Sequence, residues 1–219
     1  MPNTSVQNIL IYGTGGFARE LHQLIKDVAS CGTAVRCVGF LVDREHRKES
    51  SVHGLPVLGD ADWFAEPREE LVAVGISDTA VRCRIVREIE AKTGARFPLL
   101  QHPRAWVGDG VEVGSGSIVC AGALITTDIS IGSHVQLHVG CKIGHDAIIG
   151  NFVTVAPGAN VSGRVEIGKG VFVGTGATIL PNIKVGSWAT IGAGAVVTKD
   201  VPGNTTVAGV PARIVGRSC

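Results

Sequence analysis

The chain has 219 residues, 45% of them hydrophobic, and a formal net charge of +1 with only 18% charged side chains. A chain of this length and apolarity buries a core as one large domain or two small ones, which excludes a disordered protein, and nothing in its charge attracts nucleic acid or an anionic membrane. Thirty glycines against one tyrosine and one methionine remain to be explained.

The start, MPNTSVQNILIYG, lacks a basic region followed by a long apolar one, and no run of 18 apolar residues occurs further on, so a soluble cytoplasmic protein is expected. Six cysteines (Cys31, Cys37, Cys83, Cys120, Cys141, Cys219) form no C-x-x-C pair, a pattern of small buried hydrophobes rather than disulfides or zinc ligands.

Residues 1–101 predict a small Rossmann-like α/β domain. A strand at Ile9–Tyr12 runs into Gly13-Thr14-Gly15-Gly16 and a helix through about Ala29. A second strand, Val38–Val42, ends in Asp43, and a third, Leu71–Val74, leads through Gly75-Ile76-Ser77-Asp78 into a helix ending near Lys92. This alternation implies a parallel sheet. GTGGFA fits G-x-G-x-x-A, in which Gly13, Gly15 and Gly16 let backbone N–H groups approach a phosphate, and Asp43 is placed to accept a ribose hydroxyl. The same glycines also serve a plain strand-to-helix turn, and a full dinucleotide domain needs more strands than about 100 residues supply.

Residues 102–199 carry an aliphatic residue at every sixth position from Val107 to Val197, sixteen in succession, and nine of them are followed by glycine. Six residues make a short strand and its corner, three such sides close a triangular coil of 18 residues, and the coils stack as a parallel β-helix of about five turns. The recurrent glycine is expected at corners that demand special backbone angles. Such a repeat by itself equally serves an inert scaffold.

Taken together, ILIYGTGGFARE, FLVDRE, VGISD and CKIGHDAIIGNFVTVAPGANVSG resemble the PglD-type sugar-nucleotide N-acetyltransferases and the similar NeuD-type sialic acid O-acetyltransferases, over nearly the whole chain. The resemblance implies a left-handed coil, a homotrimer with active sites between subunits, acetyl-CoA as co-substrate and no metal. It also implies that the N-terminal domain holds the nucleotide of an amino sugar through Gly13, Gly15, Gly16 and Asp43. N-acetylation of a nucleotide-linked 4-amino-6-deoxy sugar is the leading expectation. Sialic acid O-acetylation and a non-catalytic sugar-nucleotide binding protein are the alternatives.

Acetyl transfer needs a base for the acceptor's proton, and histidine suits neutral pH. Among His102, His134, His138 and His145, the last lies at a corner, and its equivalents one coil away are Thr127 and Gly163, the glycine leaving a notch. The family's catalytic histidine falls in the same GHD motif, which makes His145 the candidate base and Asp146 the carboxylate that orients it. Nine residues on, where PglD-type relatives have a second histidine for the acetyl group, stands Thr154, whose hydroxyl can still donate. His134 and His138 fall on different sides of the prism. Five residues beyond each, the spacing of the γ-class carbonic anhydrases, are Val139 and Ile143, so no zinc site is legible.

The last segment, 200–219, follows the final hexad, and TKDVPGNTTVAGVPARIVG resembles the family's C-terminal cap near the coenzyme A adenine. This implies Pro211 and Arg213 there, with Lys199 toward the 3′-phosphate. Gly163, Gly174 and Ala193 are further coenzyme A candidates. A solenoid needs such a cap in any case.

Overall fold

In the computed structural model, which describes residues 6–66, 68–92 and 95–217, the chain divides into two units, Met1–Pro103 and Arg104–Cys219. Cys219 lies outside the described residues.

The first unit holds β1 (Gln7–Tyr12), α1 (Gly16–Ser30), β2 (Val35–Leu41), β3 (Ser51–Val52), β4 (Leu55–Gly59), β5 (Leu71–Val74) and α2 (Thr79–Lys92). The sheet order is β3-β4-β2-β1-β5, parallel except for the β3/β4 pair. β1 lies inside the sheet between β2 and β5, and Ile9 to Tyr12 are all buried, the unbroken apolar run that a strand covered on both faces requires. From β1 the chain crosses to β2 on one side and returns to β5 on the other, opening a crevice at the carboxyl ends of β1 and β5. The β3/β4 hairpin escapes a reading by periodicity because β3 has two residues. Its turn is His53-Gly54, both at positive φ.

The second unit is a left-handed parallel β-helix. Sixteen two-residue strands run from Trp106–Val107 to Val196–Val197. They stack into three sheets with an 18-residue register, as in Ile125↔Ile143↔Val161↔Ile179↔Val197. The aliphatic at each sixth position faces a common core, joined by the small residue four positions later, such as Ala123, Cys141, Ala159 and Ala177. Thr205–Ala208 extends one sheet in parallel and Arg213–Arg217 closes it antiparallel.

The two sets of glycines do different work, which corrects the reason expected for the first. The glycines directly after the inward aliphatics are not at positive φ. A Cβ on any of the nine would come within 2.3–3.0 Å of an atom of the next coil, so there they permit close stacking. The left-handed backbone falls two residues later, at every sixth residue from Gly110 to Gly194, with φ between +57° and +70°. One edge of the prism is glycine on every coil: Gly122, Gly140, Gly158, Gly176 and Gly194. The other two edges force side chains into this region, among them Asp146, His134, Phe152 and Trp188. His134 and Phe152 stack with ring centroids 5.0 Å apart, and Trp188 lies over Gly170 on the same edge. No helix among the described residues is long and apolar enough to cross a membrane.

Candidate active site

His145 projects from the edge that also carries Asp128, Asp146 and Arg164. Its Nδ1 lies 2.7 Å from Asp146 Oδ2, with both side chains about half exposed, at 54% and 52%. A carboxylate only accepts, so the Nδ1 proton is donated to Asp146 and Nε2 keeps its lone pair. Asp146 reaches its neighbour's ring because its own backbone is left-handed at φ +59°, and its N–H is tied to the Thr127 carbonyl of the preceding coil at 3.2 Å. On the following coil the His145 carbonyl accepts from Arg164 N–H at 2.8 Å. The notch expected at Gly163 is where the imidazole rests: a Cβ on Gly163 would stand 2.7 Å from His145 Nε2.

The remaining β-helix candidates fall into separate groups. Gly174 and Ala193 are neighbours on adjacent coils, a Cβ on Gly174 meeting Ala193 N at 2.6 Å, and both flank the all-glycine edge. Lys199 and Arg213 share a cavity of about 230 Å³ with Asp200, Pro202 and Ala212. Pro211 lies beside it in the turn before Arg213 and is exposed. Thr154 is fully buried, paired between Gln136 and Phe172 on the face opposite the His145 edge. One copy of the chain therefore does not bring Thr154 to His145.

In the first unit, Gly15 and Gly16 open α1 and face empty space, with nothing within 4 Å of where a Cβ would sit. Gly13, at φ +111°, is closed in by Gly75 and Ile76, so the loop after β5 forms the opposite side of the crevice. Asp43 is engaged rather than free: Tyr12 donates its hydroxyl to Oδ1, and Arg84 donates to Oδ2 at 2.9 Å. Burial opposes the Asp43 charge, but these hydrogen bonds and the guanidinium outweigh it and hold the carboxyl below its ordinary value. Burial, then the Asp43 bond, raises the tyrosine. Asp43, Arg44, Asp60, Asp62, Arg84 and Glu88 line an open cavity of about 370 Å³. Tyr12 and Arg84 were invisible to motif reading, because one ends a core strand and the other sits on a helix 41 residues from its partner. Among the described residues, Asp43, Glu45 and His46 are the one group of three donors within 4.8 Å of one another, and Tyr12 and Arg84 already occupy the Asp43 oxygens.

Residues 8–89 match the PglD N-terminal domain family, residues 104–127 the hexapeptide repeat of succinyl-transferase, and residues 164–199 the bacterial transferase hexapeptide repeat. No curated protein matches by sequence. Among solved structures, WeeI from Acinetobacter baumannii AYE is 32% identical, covering 95% of this chain and 100% of its own, with a TM-score of 0.85. The acetyltransferase domain of PglB from Neisseria gonorrhoeae FA1090 is 30% identical over 95% and 100%, with a TM-score of 0.84. PerB from Caulobacter crescentus, in complex with CoA and GDP-perosamine, is 29% identical over 97% and 99%, with a TM-score of 0.84.

Proposed function

The chain belongs to the PglD-type sugar N-acetyltransferases of the hexapeptide-repeat superfamily, and on that footing we propose that it moves acetyl from acetyl-CoA to the amino group of a nucleotide-linked 4-amino-6-deoxy sugar. The observation that carries the mechanism is the His145 imidazole, seated over Gly163 and tied through Nδ1 to Asp146, with no hydrogen bond at Nε2 among the described residues. The neutral amine attacks the thioester carbonyl carbon while Nε2 accepts one amine proton. The tetrahedral adduct then expels the CoA thiolate, which takes up a proton, leaving N-acetyl sugar nucleotide and CoA. Asp146 holds the tautomer and stabilises the imidazolium that forms.

Acetyl-CoA is read as lying along the glycine edge at Gly174 and Ala193, with Gly163 and Thr154 toward the acetyl group and Lys199, Pro211 and Arg213 toward the nucleotide. An edge without side chains gives pantetheine access to backbone amides, and the paired cations of the cap cavity suit a phosphate. Because His145 and Thr154 occupy opposite parts of one prism, a site that uses both is shared between copies, which supports a homotrimer. In the first unit, Gly13, Gly15 and Gly16 serve the diphosphate and Asp43 the nucleoside. A reaction that draws on acetyl-CoA suits the cytoplasm, the compartment proposed for it.

The test is thiol release from acetyl-CoA against UDP-, dTDP- and GDP-linked 4-amino sugars and sialic acid. Turnover confined to the amino sugars is expected. Turnover with sialic acid alone selects O-acetylation, and none across the panel selects a binding protein.

A further inference from the structure

The crevice at the carboxyl ends of β1 and β5 has two walls, and the first is the glycine loop Gly13 to Gly16. The second is the loop 75–78. It is pressed against the first: the Gly75 carbonyl is 3.1 Å from a Gly13 Cβ position, and a Cβ on Gly75 would meet Ala18 Cα of α1 at 2.7 Å. Beneath the loop lies Arg82, 1% exposed and the largest fully buried side chain among the described residues. Its guanidinium donates to the Ile76 carbonyl at 2.8 Å and the Ser77 carbonyl at 3.1 Å. Burial lowers its proton affinity to about 9, with Asp78 acting the other way, so it is charged at neutral pH.

A buried guanidinium is costly unless its donors are used, and an apolar residue would fill this face of α2 without that cost. Two of its bonds go to carbonyls of the loop and set the loop's direction. In a trans peptide the N–H points opposite the C=O, so fixing the carbonyls of Ile76 and Ser77 inward turns the N–H groups of Ser77 and Asp78 away from Arg82. Ile76 and Ser77 are half-buried and Asp78 is exposed, so the loop reaches the surface.

We infer that Arg82 is a positioning residue for the acceptor, holding loop 75–78 so that the Ser77 and Asp78 amides complete a diphosphate cradle whose other wall is Gly13 to Gly16. The inference rests on the nucleotide-sugar reading above. Arg82 touches no substrate. It fixes amides toward the anion and adds a buried positive charge behind them.

The experiment is direct binding of GDP, UDP and dTDP to the full-length protein by calorimetry, for wild type, Arg82→Lys and Arg82→Met, with folding checked by circular dichroism. The preferred nucleotide is expected to bind both variants about tenfold or more weakly, as for loss of a charge-assisted contact set, with lysine the milder. Acceptor KM should rise in step, while kcat at saturating acceptor and acetyl-CoA KM stay near wild type. Folded variants that bind nucleotide as wild type does would reduce Arg82 to an anchor for α2 and overturn the inference. Hydrogen exchange of the wild type supplies a reading free of folding defects: nucleotide should slow exchange of the segment 75–79, and no protection there overturns the inference as well. If wild type binds none of the three, the nucleotide-sugar reading itself fails, a result distinct from equal binding by all three proteins.

Discussion

Replacing Gly163 by alanine tests where the base stands without altering the base. Its backbone is outside the left-handed region, so alanine meets no conformational penalty, and Gly→Ala at such a site commonly gains about 0.4–1 kcal/mol. The added methyl carbon would stand 2.7 Å from His145 Nε2, where ordinary contact begins at 3.4 Å, so the ring must move by about 0.7 Å or swing aside. The tip of an exposed side chain can do so at little cost to the fold. Catalysis cannot follow as easily, because displacements of about 1 Å cost on the order of 10²-fold. Thiol-release kinetics should show kcat reduced by roughly 10- to 10²-fold, with unchanged acetyl-CoA KM and a melting temperature at or above wild type. In a Gly163→Ala, His145→Ala double variant the alanine at 163 should cost nothing further, since both changes remove one interaction. Normal kcat in the single variant, or additive losses in the double, would refute the placement.

Three further outcomes follow from the geometry. Asp146→Asn should lower kcat less than loss of His145 does, because it withdraws an orienting carboxylate and leaves the proton acceptor; equal losses in the two variants would make Asp146 a direct participant. A Cβ at Gly15 meets no atom within 4 Å, so Gly15→Val should fold normally while acceptor KM rises and acetyl-CoA KM does not; an unchanged acceptor KM would remove Gly15 from the cradle. Among the repeat glycines, Gly132→Ala would bring a Cβ within 2.7 Å of Asn151 N and should cost about 2–3 kcal/mol. Gly140→Ala, in open space at φ +68°, should cost about 1 kcal/mol, and the reverse order in chemical denaturation would contradict the two roles assigned to these glycines.

The β-helix was legible almost to the residue because its rule is local: one inward aliphatic per six residues specifies strand, corner and stacking together, from Val107 to Val197. What the glycines do was not legible, since sequence order cannot tell a residue that needs unusual angles from one that needs an absent side chain. Both kinds follow the same aliphatic, as with Gly174 and Gly176. In the first unit, Ile9–Tyr12 and Leu71–Val74 announced themselves as apolar runs, whereas the β3/β4 hairpin was too short to show a period. His145 and Gly163 could be paired by counting one coil of 18 residues. Tyr12, Arg84 and Arg82 could not, because their partners are brought together by the crossing of strands and helices rather than by spacing. Arg82 is the clearest case: a charged residue on a helix reads as solvent-facing, and only its burial against two carbonyls reveals a task.

The central claim is that His145 removes the proton from the attacking amine. Steady-state kinetics of His145→Ala with the best nucleotide-linked 4-amino sugar tests it most directly. A positioned general base is worth roughly 10²–10⁴ in rate, so kcat and kcat/KM should fall together by that factor, with acetyl-CoA KM and assembly unchanged. Near-normal kcat in His145→Ala would contradict the account and leave an already neutral amine attacking without help from the protein.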